Sequence, residues 1–142
     1  MNDIKKILVP TDFSEDSKKI LQSAIMIARK FDAAIDVVFV VASLDAYADF
    51  ASPPVPLEKL EKDLCARANR KMIEFIEENM AKDIPHTSVV LNGNVPQEIV
   101  RHAQTAGHDL IMVGAHDCKK VTERVIKTAQ CSVLSIQPSM QG

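Results

Sequence analysis

Apolar residues in this chain gather into five short runs: IKKILVP at 4–10, IDVVFVV at 35–41, TSVVL at 87–91, DLIMVG at 109–114 and CSVLSI at 131–136. Three of them are continuous rather than alternating, which is the pattern of strands covered on both faces. The stretches between them repeat with a helical period. From Ser14 to Phe31 the apolar stripe is Ile20, Ala24, Ile27, Ala28 and Phe31, with Ser14 placed as the cap and Glu15 and Asp16 set against the positive helix end. A second helix is predicted over 57–80, with Leu60, Leu64, Ala68, Met72, Ile76 and Met80 spaced by four. Gly93 and Pro96 mark the start of a third, QEIVRHAQTA, and Gly107 is placed to cap its end. VTERVIKTA supplies a fourth.

The order βαβαβαβαβ, with every crossover long enough for a helix, predicts a doubly wound α/β domain. Its five-stranded parallel sheet has order 3-2-1-4-5 and helices on both faces. No repeat or linker divides the chain, so residues 1–142 are read as one domain. One connection is longer than the rest: residues 42–56, ASLDAYADFASPPVP, carry Tyr47 and Phe50 between the second strand and the second helix. Such a loop is either a lid or an excursion, and it leaves the sheet on the side where ligands of this architecture bind.

Composition narrows the function classes. The chain is 46% hydrophobic and 25% charged, an ordinary globular balance, and its net charge of -2 offers no cationic face for nucleic acid. Five Phe and one Tyr leave few stacking platforms. No run approaches a membrane span, and the start has too short an apolar stretch for a secretory signal, so a cytoplasmic protein is expected. Cys65, Cys118 and Cys131 are odd in number and lack CxxC spacing, so reduced thiols are expected. Cys118, beside Lys119 and Lys120, is read as an incidental surface thiol. His86, His102 and His108 are scattered without paired metal spacing, and none is assigned as a ligand.

Candidate chemistry lies where the strands end. Pro10, Thr11 and Asp12 follow the first strand, Val40 and Val41 close the second, and Gly114 closes the fourth. At the switch point of a 3-2-1-4-5 sheet these ends form a crevice suited to a nucleoside and its phosphates, the acid serving as ribose partner or magnesium ligand. The turn VGAHDCKKVTERV at 113–125 is a poor phosphate cradle, however. It has one glycine, and a cradle aims several backbone amides inward through residues that tolerate unusual dihedrals. It also carries Asp117, and a carboxylate about 4 Å from a phosphate charge costs ~1 kcal/mol in water and ~4 near a protein surface.

VPTDFSEDSKKIL, GNVPQEIV, AGHDLIMVGAH and CSVLSIQP, in that order and spacing, resemble the universal stress protein family in its single-domain form over essentially the whole chain. The nucleotide-binding kind of that family carries GxxG, about nine residues, then Gly followed by Ser or Thr. Gly114 matches the first glycine, Asp117 stands at the second, and only CysLysLys precedes VTERV, so the Gly-Ser pair is missing. The resemblance implies adenine contacts from the backbone at Val40, and His116 matches a histidine common in the family's loop. It also implies a homodimer through the fifth strand, at Val133, Leu134 and Ile136, which would cover an otherwise open sheet edge.

The expected function is a stress-associated regulatory or interaction domain that does not bind ATP tightly, with unknown protein partners. The alternative is an adenine-nucleotide module taking ATP or AMP at Pro10, Thr11, Asp12, Val40, Gly114 and His116. No catalytic group is assigned, although low-level ATP hydrolysis is left open. His116 has no nucleophile and supporting acid nearby. A response-regulator receiver lacks its phosphoacceptor here, because the third strand runs into LeuAsnGly and the fifth into GlnPro. A nucleotide-dependent ligase or transferase lacks its glycine-rich loop, because ThrAspPheSer follows the first strand.

Overall fold

The computed structural model describes residues 3–44, 56–115 and 119–138. Five strands, β1 (Lys6–Pro10), β2 (Ala34–Ala42), β3 (His86–Gly93), β4 (Leu110–Gly114) and β5 (Ser132–Ile136), form one sheet of order β3-β2-β1-β4-β5. All neighbours are parallel, with Val9 opposite Val37, Val37 opposite Ser88, and Gly114 opposite Ile136. The doubly wound α/β fold read from the pattern is therefore the observed one. Four helices, α1 (Glu15–Phe31), α2 (Leu57–Asn79), α3 (Val95–Ala106) and α4 (Lys119–Thr128), make the crossovers. No described helix is long and apolar enough to cross a membrane.

Alternation along the strands splits the interior into two cores. Ile7, Val9, Ile35 and Val37 face α1 and α2, where Ile20, Leu21, Ala24, Met72 and Phe75 meet them. Leu8, Val38, Val40, Ile111 and Val113 point the other way, onto Ile99 and Ala103 of α3 and Val125 of α4. β1 and β4 are buried on both faces, as their continuous apolar runs require.

Helix boundaries follow local chemistry. Ser14 caps α1, its side chain accepting from the backbone N–H of Ser17 at 3.2 Å, with Glu15 and Asp16 in the first turn. Asn94 caps α3 in the same way, accepting from the Gln97 N–H at 3.1 Å. Pro96 sits inside the first turn of α3, where a missing N–H costs nothing, so the helix starts two residues before the predicted Gln97. Gly107 ends α3 at φ 73°, a conformation that a Cβ would strain.

The helical stripes differ from expectation in detail. Phe31 is 55% exposed, and Leu21 and Ile25 take core positions in α1 that the predicted stripe omits. In α2 the buried residues are Ala68, Met72 and Phe75. A strict spacing of four overshoots the 3.6-residue turn, so the inward position steps back by one, and Phe75 replaces the predicted Ile76 at the centre of the core.

Candidate functional site

The turn from β1 into α1 is built around Asp12. The Thr11 N–H donates to the Val38 carbonyl at 2.8 Å, which carries the β1–β2 ladder one residue past the strand. Asp12 Oδ1 then accepts from the Ser17 hydroxyl at 2.6 Å and from the Ser14 N–H at 3.0 Å, while the Asp12 N–H donates to Ser17 Oγ at 3.1 Å. Burial pushes the Asp12 carboxyl up, but the hydrogen bonds from Ser14 and Ser17 together outweigh it and hold the group below the usual aspartate range. Asp12 is thus an ionised, fixed acceptor whose recorded bonds fall on one oxygen.

Phe13 follows at φ 66°, an uncommon conformation for an aromatic residue. Its ring stacks on Phe39 at 4.8 Å between centroids and meets Phe75 edge-on at 5.7 Å. Packing of the ring offsets the backbone strain, and the turn therefore directs Asp12 outward while Phe13 anchors inward.

A cavity of 280 Å³ opens at these strand ends, lined by Pro10, Thr11, Asp12, Val38, Phe39, Val40, Val95, Ile99 and Val121. Four predicted site residues, Pro10, Thr11, Asp12 and Val40, therefore share one crevice. Asp12 also lines a neighbouring cleft of 400 Å³ with Phe13, Leu44, Leu64, Arg67 and Lys71, two cations that the strand-end pattern does not single out. Gly114 stands apart from the crevice lining. It is buried at the end of β4, and its carbonyl accepts from the Thr122 hydroxyl at 3.4 Å. His116, Asp117 and Cys118 lie outside the described residues, as do Tyr47 and Phe50 of the long connection. Val133, Leu134 and Ile136 are on β5, which forms one edge of the sheet, and Leu134 is 37% exposed. The opposite edge is β3.

The structure also assembles a polar cluster that linear spacing conceals. Asp36 on β2 accepts at Oδ2 from His102 Nε2 of α3 at 2.8 Å and from His108 Nε2, just before β4, at 3.1 Å. The Thr87 hydroxyl donates to Asp36 Oδ1 at 2.8 Å. Burial raises the Asp36 carboxyl, but hydrogen bonds from His108, His102 and Thr87 bring it down to about 2. His102 and His108, scattered in the sequence, are thus neighbours with ring centroids 5.4 Å apart. The one visible signal was an acid in the otherwise apolar run IDVVFVV. A carboxylate there must find donors inside the fold.

The sequence pattern of the Universal stress protein family matches residues 3–137. A universal stress protein of Methanocaldococcus jannaschii is 33% identical over 94% of this chain and 82% of its own length. Among solved structures, hypothetical protein MJ0577 superposes with a TM-score of 0.78 at 26% identity, covering 96% of this chain and 97% of that one. A universal stress protein from Archaeoglobus fulgidus, in complex with dAMP, superposes with a TM-score of 0.63 over 96% of this chain and 100% of its own. Its identity is 19%, a likeness of fold alone.

Proposed function

This chain belongs to the universal stress protein family, and from that premise we propose that it is a cytoplasmic, non-catalytic regulatory domain whose strand-end crevice takes an adenine nucleoside or its monophosphate and does not hold ATP tightly. The observation that carries this reading is the 280 Å³ crevice with Asp12 fixed at its rim. Small-molecule pockets run from about 300 to 1,000 Å³, so this crevice suits a nucleoside better than a triphosphate. Val38, Val40, Val95, Ile99 and Val121 offer an apolar wall for a base, and Asp12, an acceptor without donors, fits the hydroxyls of a ribose. A monophosphate in a relative of this fold agrees with that size. Asp117 and the missing Gly-Ser segment disfavour a longer phosphate chain.

Calorimetric titration with adenosine, AMP and ATP tests the reading. Adenosine and AMP are expected to bind, ATP no more tightly than AMP, and Asp12→Ala to weaken AMP by at least about tenfold. ATP co-released from purified protein, or ATP binding tighter than AMP, overturns it. The domain is also proposed to act as a homodimer through β5, since an uncovered edge with Leu134 exposed invites pairing. A monomeric mass in light scattering well above micromolar concentration counts against that assembly.

A further inference from the structure

We propose that Asp36, His102 and His108 form a binding site for a divalent zinc-class ion, remote from the nucleotide crevice and at the amino-terminal end of the sheet. The three residues reach one point from β2, α3 and the turn into β4, across 66 and 72 residues of sequence. One ligand atom from each lies within 4.8 Å of the others. A tetrahedral ion with bonds of about 2.0–2.1 Å holds its ligand atoms about 3.3 Å apart. The Nε2–Oδ2 distances of 2.8 and 3.1 Å open slightly, and the two imidazole nitrogens, within 4.8 Å of each other, close to that spacing, to admit it. Two imidazoles and one carboxylate, with no thiolate, form a donor set for zinc and its neighbours rather than for magnesium or calcium, which prefer oxygen alone. The fourth position falls to water.

The surroundings also fit an ion. The Thr87 hydroxyl donates to the other oxygen of Asp36, the kind of outer hydrogen bond that orients a ligating carboxylate. His108 is fully buried, and its Nδ1 has no hydrogen-bond partner among the described residues, so Nε2 is the ring's one polar anchor. With the ion on Nε2 each ring carries its proton on Nδ1. For His108 the 220 Å³ cavity it shares with Gln104, Gln130 and Cys131 leaves room for a water beside the ring. His102, 20% exposed, provides the way in.

Full-length protein stripped with chelator is titrated with Zn²⁺ by calorimetry and with Co²⁺ by visible absorption. About one ion per chain is expected, with the intense visible band of tetrahedral Co²⁺ and a higher melting temperature. Thr87→Val is expected to weaken Zn²⁺ by about tenfold. His102→Ala is expected to abolish binding, and Cys65→Ser with Cys131→Ser to leave it unchanged. Should His102→Ala fail to fold, ring NMR of the unaltered protein decides: Zn²⁺ must move the signals of His102 and His108 and spare His86. Absence of binding, binding kept by a folded His102→Ala, binding lost with the cysteines, or a shift confined to His86 overturns the proposal.

Discussion

Asp12, just past β1, and Asp36, inside β2, are both aspartates held by hydrogen bonds, but they are held by different kinds of neighbour. Every recorded partner of Asp12 lies within five residues of it, in the turn and first helical turn that it helps to shape. Asp36 is held by Thr87, His102 and His108, 51, 66 and 72 residues away, on three other pieces of the fold. Asp12 looks out over a crevice, whereas the side chain of Asp36 is only 12% exposed. The first network forms whenever the local turn forms. The second exists only once β2, β3, α3 and the start of β4 have packed, so it reports on, and contributes to, the assembled domain.

The sharpest test of that contrast is Asp36→Ala. It removes the shared acceptor of two largely buried imidazoles and a hydroxyl, and is expected to lower the unfolding free energy by about 3 kcal/mol in urea titration. A loss no larger than that of a surface substitution would break the distinction between the two acids.

The anchor of the crevice turn should come next. Phe13→Ala is expected to cost about 2 kcal/mol through lost ring packing. Phe13→Gly is expected to cost less than Phe13→Ala by about 1 kcal/mol, because glycine takes φ 66° without a Cβ penalty. If the two variants melt together, the positive φ carries no strain and packing alone sets the turn.

A smaller loss, about 1 kcal/mol, is expected for Ser14→Ala, which removes the α1 cap and loosens the Asp12 network. The two-state midpoint in denaturant measures it. The smallest effect concerns pH. The folded-state pKa of Asp12 is lowered from its ordinary 3.8, so its stabilisation is fully present above that value and is lost as pH falls through the lower folded value. Asp12→Asn should therefore narrow its gap to the unaltered protein as the solution is acidified below pH 3.8. A gap that stays constant through that range would show that the Asp12 charge is not what the serines stabilise.

Part of the crevice lining was legible in the chain. Pro10, Thr11, Asp12 and Val40 follow from where apolar runs stop, and strand ends of this topology converge whatever else the sequence does. Ser14 was legible as a cap because a cap acts on residues three positions away. The histidines were not legible. A pairing with Asp36 depends on sheet order and on which face of α3 turns inward, and neither leaves a spacing signature. Phe75 was missed for a related reason: the 3.6-residue turn fixes a face only approximately over six turns, and the core then selects the residue that fills it.

By itself, then, the chain determined the alternation of strands and helices, their parallel arrangement and the position of the Asp12 turn. These rest on hydrophobic period and on bonds between near neighbours, which are written locally. Only the tertiary structure decided which inward faces of α1 and α2 meet the sheet, the left-handed Phe13 locked between Phe39 and Phe75, and the union of Asp36 with His102 and His108. Each of these depends on residues brought together across long stretches of chain by burial of the two cores. The energy of such contacts is realised only after the elements carrying them have packed.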